Sequence, residues 1–238
     1  MSGFVLPTPP DYEGALLLAR DVTMRFGGVT AVSELTLAVP QGAIAGIIGP
    51  NGAGKTTVFN VLSGFYTPQE GDVIFAGKSI KGRKPYDICR LGMARTFQNI
   101  RLSRQMTVLE NIMVGCHVRR HCPWWMAPLG LPRFYREEAE IARKGRLLAE
   151  RVNLGDQLDE KAGSLPYGAQ RRLEIARALA TQPSILFLDE PAAGMNPQET
   201  EELTQLIHHL RDKYKLTIIL IEHDMSLVMN LCERIFVL

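Results

Sequence analysis

The sequence predicts an α/β fold on a mostly parallel sheet, with an antiparallel β region before it and a helical subdomain inserted into it. Three observations lead to this prediction. Short apolar runs alternate with amphipathic helical patterns, which is typical of a parallel sheet covered by helices. The first 40 residues instead contain two strand patterns around a Gly-Gly turn. The segment from about residue 107 to 163 has a helical pattern and no strand signal.

The composition is that of an ordinary globular protein. The 238 residues are 46% hydrophobic and 22% charged, and 27 basic against 25 acidic residues leave a net charge of +2, which does not favour nucleic-acid binding. No apolar run reaches the roughly 18–20 residues that cross a bilayer, and residues 1–10 lack the basic start of a signal peptide. We therefore expect one domain over residues 1–238 that stays in the cytoplasm. Its four cysteines are expected to be reduced.

The strand predictions begin with a hairpin. Residues 16–26 and 33–39 have strand patterns on either side of Gly27 and Gly28, and the order predicts antiparallel pairing. Residues 72–75 are expected to join this sheet.

Three later apolar runs predict the parallel sheet. Residues 43–48, 185–188 and 216–221 are too short for core helices, and two of them are rich in isoleucine. Such runs are typical of strands that are buried on both faces.

The clearest helical pattern runs from Pro197 to about Tyr214. Asn196 is in position to cap it, and Glu199 completes a capping box. Proline is well suited to the first turn.

A phosphate-binding motif follows the first parallel strand. It matches G-x-x-x-x-G-K-[ST] in full and precedes a helical pattern over residues 57–63, which is the context that the motif requires. The glycines let main-chain N–H groups turn toward an anion, and the helix N-terminus adds a positive dipole end. Lys55 supplies a charge for the β- and γ-phosphates, and the Thr56 hydroxyl suits Mg²⁺. The predicted nucleotide-binding residues of this P-loop are Gly49, Pro50, Asn51, Gly52, Ala53, Gly54, Lys55, Thr56 and Thr57.

Two other strand ends carry candidate catalytic groups. Asp189 and Glu190 follow an apolar strand; beside a P-loop, Asp189 suits a Mg²⁺ ligand and Glu190 a general base for the attacking water. His223 ends the strand over residues 216–221 and is placed to contact the γ-phosphate. The alternatives are a solvated acidic strand end and a structural or exposed histidine.

In this order the motifs resemble those of the ATP-binding cassette (ABC) ATPases. Gln98 resembles the Q-loop glutamine, residues 165–169 the signature segment, and residues 192–196 the D-loop. Asp189-Glu190 resembles Walker B, His223 the switch histidine, and Phe26 the aromatic residue that stacks on adenine. The resemblance covers essentially the whole chain. It implies a P-loop (RecA-like) core, a helical subdomain over about residues 99–165, and ATP hydrolysis with Mg²⁺. Its implied catalytic residues are Gln98, Glu190 and His223, and its implied Mg²⁺ ligands are Thr56, Gln98 and Asp189.

Longer stretches resemble more narrowly the ATPase subunit of high-affinity branched-chain amino-acid importers. They include residues 24–28, 95–98, 167–177, 189–197 and 221–225. This resemblance implies uptake of leucine, isoleucine and valine, driven from the cytoplasmic face of the inner membrane. The implied partners are two transmembrane permease subunits, a second ABC ATPase and, indirectly, a solute-binding protein. Members usually continue beyond a strand such as residues 236–238, so a truncated C-terminal end is expected.

The signature segment departs from the general Leu-Ser-Gly-Gly-Gln pattern. In the family, the positions of Leu165, Tyr167 and Gly168 contact the ATP held by the partner ATPase. Here Pro166 replaces the serine and Tyr167 the first glycine, so this chain offers its partner a poorer phosphate clamp. The branched-chain subfamily also tends to have Tyr-Gly, so the change is compatible with function. Asn196 stands where the D-loop usually has aspartate.

Weaker patterns leave alternatives open. Cys116, His117, His121 and Cys122 match no usual zinc spacing, so an insert without metal is favoured over a metal site.

Two further sets have alternative interpretations. Trp124 and Trp125 either pack locally or lie near a membrane or permease. Arg171, Arg172 and Arg177 predict a solvated helix face rather than a nucleic-acid site.

Other functions stay open as alternatives to branched-chain amino-acid import. They are a soluble ABC ATPase of translation or DNA repair, a non-hydrolytic regulatory subunit, and an importer of another amino acid or a small amide. The single P-loop and modest insert argue against the first, and Glu190 and His223 argue against the second.

Overall fold

A computed structural model describes residues 14–120 and 132–238 of the chain. Its strands are β1 (Ala15–Phe26), β2 (Val29–Pro40), β3 (Ile44–Ile48), β4 (Glu70–Phe75), β5 (Lys78–Ser79), β6 (Met93–Arg95), β7 (Ile185–Asp189), β8 (Thr217–Ile221) and β9 (Arg234–Val237). Its α-helices are α1 (Lys55–Leu62), α2 (Pro85–Leu91), α3 (Val108–Cys116), α4 (Pro132–Arg151), α5 (Tyr167–Ala180), α6 (Pro197–Tyr214) and α7 (Met225–Leu231). Within the described ranges, no helix is both long and apolar enough to cross a bilayer.

The N-terminal strands form the predicted antiparallel sheet, with strand order β2-β1-β4-β5. β1 and β2 pair as a hairpin in which Phe26 lies opposite Val29 across the glycine turn. β4 pairs antiparallel with the other edge of β1, so the prediction that residues 72–75 join the sheet is confirmed.

The second sheet is parallel, with strand order β6-β7-β8-β3-β9. The three apolar runs predicted as strands form β3, β7 and β8, which confirms a mostly parallel α/β sheet. The strand expected near residue 236 is β9, which pairs with β3. Because the carboxyl ends of parallel strands lie at one edge, the segments that follow β3, β6, β7 and β8 are brought together there.

Alternate residues of the central strands enter two apolar cores. Leu186 and Leu188 point into a core shared with α3, α5, α6 and α7. Ile185 and Phe187 point into a second core that includes α1 and the antiparallel sheet. Each buried side chain of this kind contributes about 1.5–3 kcal/mol, so burial of β7 on both faces anchors its carboxyl end.

Helices make up most of the described part of the predicted insert, although residues 99–107 are not helical. α3, α4 and α5 pack on one another, and 3-10 turns lie at Gly155–Gln157 and Ala162–Ser164. α3 begins at a capping box formed by Thr107 and Glu110, and α6 begins at the predicted box of Asn196 and Glu199. These reciprocal hydrogen bonds satisfy N–H groups that a helix start leaves unpaired.

Candidate functional site

The P-loop joins β3 to α1 through a tight glycine turn. Gly54 has φ +86°, and a Cβ atom there would lie 2.4 Å from the carbonyl oxygen of Ala31, so only glycine fits. No side chain caps the N-terminus of α1, which begins at Lys55 rather than at the predicted Thr57. Its first N–H groups therefore have no side-chain acceptor, as an anion-binding helix start requires.

Lys55 lies inside this loop and is only 7% exposed. Its ammonium donates hydrogen bonds to the carbonyl oxygens of Gly49, at 2.7 Å, and Pro50, at 2.8 Å. Thr56, the next residue, is exposed. The loop thus holds one positive charge at the start of α1, where main-chain dipoles also favour an anion.

Asp189 ends β7 as a buried carboxylate paired with an arginine. Arg95 Nη2 lies 3.0 Å from Asp189 Oδ2. The same guanidinium donates to the side chains of Asn60 and Ser63, so it joins the end of β6 to α1 and β7. Burial lowers the pKa of Arg95, and its bond to Asp189 opposes that shift. No local pattern indicates that Arg95 is partly buried and paired, so no role was assigned to it from the sequence.

Three candidate catalytic side chains meet beyond the strand ends. Gln98 Nε2 donates to Glu190 Oε2 at 3.0 Å, and His223 Nε2 lies 3.1 Å from Glu190 Oε1. The main-chain N–H of Glu190 donates to the carbonyl oxygen of Ile221 at 3.0 Å, which ties the turn after β7 to β8. Glu190 itself has φ +45°, in the left-handed region that non-glycine residues seldom occupy. A carboxylate held between an amide and an imidazole is suited to accept a proton from water.

Glu222 connects the segments that follow β7 and β8 through main-chain hydrogen bonds. Its buried carboxylate accepts hydrogen bonds from the main-chain N–H groups of Ala192, at 2.9 Å, and His223, at 3.2 Å. Desolvation raises the pKa of Glu222, and these hydrogen bonds oppose the shift. From the sequence, Glu222 was recognised only as part of a motif. A carboxylate next to the histidine at a buried strand end was the available signal.

Phe26 lies at the tip of the hairpin and is 45% exposed. Its ring meets that of Tyr66 edge to face, with centroids 5.5 Å apart. The same hairpin contacts the P-loop where the carbonyl oxygen of Ala31 faces Gly54. An exposed aromatic face is therefore carried by an element that abuts the phosphate loop.

The three signature residues lie at the start of α5. Leu165 is buried, whereas Tyr167 is 44% exposed. A Cβ atom at Gly168 would lie 2.7 Å from Glu199 Oε1, so glycine lets the starts of α5 and α6 approach closely. Pro166 provides no side-chain cap. Of the three, Gly168 is the one that lies against the start of α6.

The prediction that Arg171 lies on a solvated helix face is wrong. Arg171 is 0% exposed, and its Nη1 lies 2.9 Å from Oε2 of Glu174. The loop after β6 covers this face of α5, which the sequence of the helix alone does not indicate. Burial raises the pKa of Glu174, and the charge of Arg171 opposes the shift. Arg172 and Arg177 are partly buried.

The weaker patterns fall largely outside the described residues. His121, Cys122, Trp124 and Trp125 lie in the gap between residues 120 and 132. Within the described ranges, no three His, Cys, Asp or Glu side chains form a metal-binding group. Cys116 is a free thiol there, and burial raises its pKa.

Comparison with known proteins identifies the family. A family model described as ABC transporter matches residues 32–193. The high-affinity branched-chain amino acid transport ATP-binding protein LivG of Salmonella typhimurium is 47% identical over 222 residues, which are 93% of this chain and 87% of LivG. The protein of the same description from Pseudomonas aeruginosa, BraF, is 46% identical over 94% of this chain and 88% of its own length.

Solved structures agree with this match. An ATP-binding cassette of an ABC transporter in its ADP conformation has a TM-score of 0.81 at 33% identity, and a nucleotide-free cassette has 0.79 at 31%. Each alignment covers 94% of this chain and 87% of the other. The resemblance inferred from the motifs is thereby confirmed. The chain belongs to the ABC transporter family and is an ATP-binding cassette ATPase.

Proposed function

We propose that this chain is the ATP-hydrolysing subunit of an importer for branched-chain amino acids. The observation that carries the proposal is the 46–47% identity to LivG and BraF over more than nine-tenths of the chain. The exposed P-loop and the cluster around Glu190 support hydrolysis rather than a purely regulatory role.

In this proposal the P-loop binds the nucleotide phosphates. The main-chain N–H groups of residues 51–57 surround them, and the ammonium of Lys55 turns from its loop carbonyls to the β- and γ-phosphates. Phe26 stacks on the adenine ring, which its exposed position allows.

Magnesium fits the donor set at this site. Thr56, Asp189 and Gln98 offer hydroxyl, carboxylate and amide oxygens, the hard ligands that Mg²⁺ prefers. Arg95 holds Asp189 through Oδ2. Bound there, Mg²⁺ would neutralise phosphate charge.

Hydrolysis depends on the cluster at the strand ends. Glu190 accepts a proton from the attacking water, Gln98 orients that water, and His223 donates to the γ-phosphate. Catalysis in such sites comes mainly from positioning and electrostatic stabilisation. The contacts of Gln98 and His223 with Glu190 therefore support this role, because they hold the three side chains in a defined arrangement.

The proposed assembly contains two permease subunits and a second ABC ATPase, and a solute-binding protein delivers the amino acid. The chain would then lie peripherally at the cytoplasmic face of the inner membrane. Leu165, Tyr167 and Gly168, at the start of α5, face the ATP of the second ATPase.

The test is affinity purification of the tagged full-length protein from gently solubilised native membranes, followed by mass spectrometry. We expect two permeases and a second ATPase, with leucine, isoleucine or valine bound by the co-purified binding protein. Recovery with ribosomes or DNA-repair proteins, from the soluble fraction only, would overturn the transport assignment. A binding protein that selects another amino acid or an amide would change the solute alone.

A further inference from the structure

A buried ion pair on α5 lies within the stretch 167–177 but has no role in the site described above. Arg171 and Glu174 are one helical turn apart, and neither side chain is exposed by more than 2%. Burying two charges gives little net stability, because desolvation offsets their attraction, and apolar residues of similar size stabilise a core as well or better. Packing alone therefore does not account for this pair.

The pair is hydrogen-bonded to the main chain of the loop after β6. Arg171 Nη1 donates to the carbonyl oxygen of Phe97 at 2.7 Å, and Nη2 to that of Gln98 at 3.0 Å. Glu174 Oε1 accepts from the N–H groups of Phe97, at 3.4 Å, and Arg101, at 3.3 Å. This loop lies outside the helices and strands. The two side chains therefore provide hydrogen-bond partners for main-chain groups that no helix or strand pairs in this loop.

The guanidinium of Arg171 also reaches two other elements. Its Nη2 lies 3.3 Å from the hydroxyl of Tyr167, at the start of α5, and 3.5 Å from the main-chain oxygen of Glu190. One side chain thus contacts the loop that carries Gln98, the signature end of α5 and the residue after β7. The amide of Gln98 in turn contacts the carboxylate of Glu190 at 3.0 Å.

We propose that Arg171 and Glu174 are positioning residues for ATP hydrolysis. The pair holds the main chain at Phe97 and Gln98, and so places the Gln98 amide against Glu190. Through Tyr167 it links this geometry to the end of α5 that faces a partner's nucleotide. The inference rests on the proposed function, because that function assigns Gln98 and Glu190 to the reaction.

The main test replaces both charges together, with Arg171→Met and Glu174→Leu. Removing the whole pair avoids the uncompensated buried charge that either single change would leave. The matched control is Arg172→Met with Glu202→Leu, which removes the adjacent, more exposed pair whose nitrogen and oxygen lie 3.6 Å apart. ATP affinity is measured on the full-length chain, and kcat and KM on the complex recovered with its membrane subunits.

We expect the double replacement to lower kcat at least about 10-fold, because misplacing a catalytic group by about 1 Å can cost about 100-fold. ATP affinity and KM should stay within about threefold, because the P-loop is unchanged. The control pair should keep kcat within about twofold. A wild-type kcat in the double replacement would overturn the inference.

A second readout separates positioning from a general loss of structure. If the pair acts through Gln98, adding both replacements to Gln98→Ala should lower kcat by no more than about twofold beyond Gln98→Ala alone. If the fold-losses in kcat of Gln98→Ala and of the double replacement multiply instead, the pair does not act through Gln98, and the inference would be overturned.

A conservative variant keeps the test decisive if the double replacement does not fold. Arg171→Lys retains the charge beside Glu174, but an ammonium cannot span the Phe97 and Gln98 carbonyls as the guanidinium fork does. It should therefore lower kcat with unchanged ATP affinity. Full activity of this variant would overturn the inference and leave the proposed function standing. A wild-type complex that hydrolyses no ATP would instead overturn the proposed function, and this inference with it.

Discussion

The carboxyl edge of the parallel sheet and the N-terminus of α5 are built in different ways. At the sheet edge, side chains hold one another: Asp189 pairs with Arg95, and Glu190 lies between Gln98 and His223. The start of α5 has no side-chain cap, and its Tyr167 is exposed. A site made from side chains loses its chemistry with one substitution, whereas a helix start still presents its main chain. This difference explains how Pro166 and Tyr167 can depart from the family pattern while α5 still forms.

The largest expected effect is at the sheet edge, with Glu190→Gln. Loss of the carboxylate should lower kcat by about 100-fold or more, which is the usual range for removal of a general base. ATP affinity should stay within a few-fold, because the P-loop is untouched. Steady-state hydrolysis by the assembled complex, together with equilibrium ATP binding, measures both. Near-native turnover would show that Glu190 does not activate the water. Glu201→Gln, on the exposed side of α6, is the control.

The next effect concerns binding, with Lys55→Ala. A hydrogen bond to a charged group contributes about 1.5–3 kcal/mol, so ATP affinity should fall about 10- to 100-fold. Isothermal titration of the full-length chain measures it, with the exposed Lys78→Ala as control. Unchanged affinity would refute the phosphate role of Lys55. It would also weaken the contrast between the sheet edge and the start of α5, because main-chain groups alone would then be enough to bind phosphate at the sheet edge.

A smaller effect, on the pH dependence of stability, is expected for Glu222→Gln, which lies behind the sheet edge. Desolvation raises the native pKa of Glu222 above its ordinary value of 4.5, so the folded protein holds this proton more tightly than the unfolded chain does. That contribution to stability is present below pH 4.5 and is lost as the pH rises through the native pKa.

The Tm of Glu222→Gln relative to wild type should therefore become more positive between about pH 4 and about pH 7. A change of about 1 kcal/mol corresponds to about 2–4 °C in a protein of this size. Differential scanning calorimetry at matched ionic strength measures it, with Glu201→Gln as the reference. A constant difference across this range would contradict a raised pKa.

The smallest effect is expected at the start of α5, with Tyr167→Phe. The change removes one hydroxyl, 3.3 Å from Arg171 Nη2, on a residue that is 44% exposed. Stability should fall by less than about 1 kcal/mol, and ATP affinity of the isolated chain should not change. Urea unfolding measures the first. A loss well above this value would mean that the start of α5 depends on side chains as the sheet edge does.

Local signals predicted most of the fold and the main residues of the site. The P-loop, the glycine hairpin and the capping box of α6 are patterns confined to a few neighbouring residues, and each forms as expected. Both Glu190 and His223 were placed at strand ends from the sequence, and their contact follows from the strand order that the structure shows. The roles of these residues remain predictions to be tested.

Buried charges were beyond the reach of local patterns. Arg171 and Arg172 are adjacent in sequence, and only the loop after β6, more than 70 residues away in sequence, makes one of them fully buried. Arg95 likewise depends on Asp189, which lies 94 positions further along the chain. Sequence spacing within a helix cannot reveal such partners. The glutamate one turn after Arg171, on a mostly apolar helix face, was the one available sign.

The left-handed backbone at Glu190 places strain at a proposed catalytic residue. A non-glycine residue in this region costs about 1–2 kcal/mol, and glycine avoids that strain, as Gly194 does nearby at φ +77°. Folding by itself would therefore favour glycine at position 190. An engineering programme that ranks substitutions by backbone strain would therefore choose Glu190→Gly, and would remove the carboxylate that we propose activates the water.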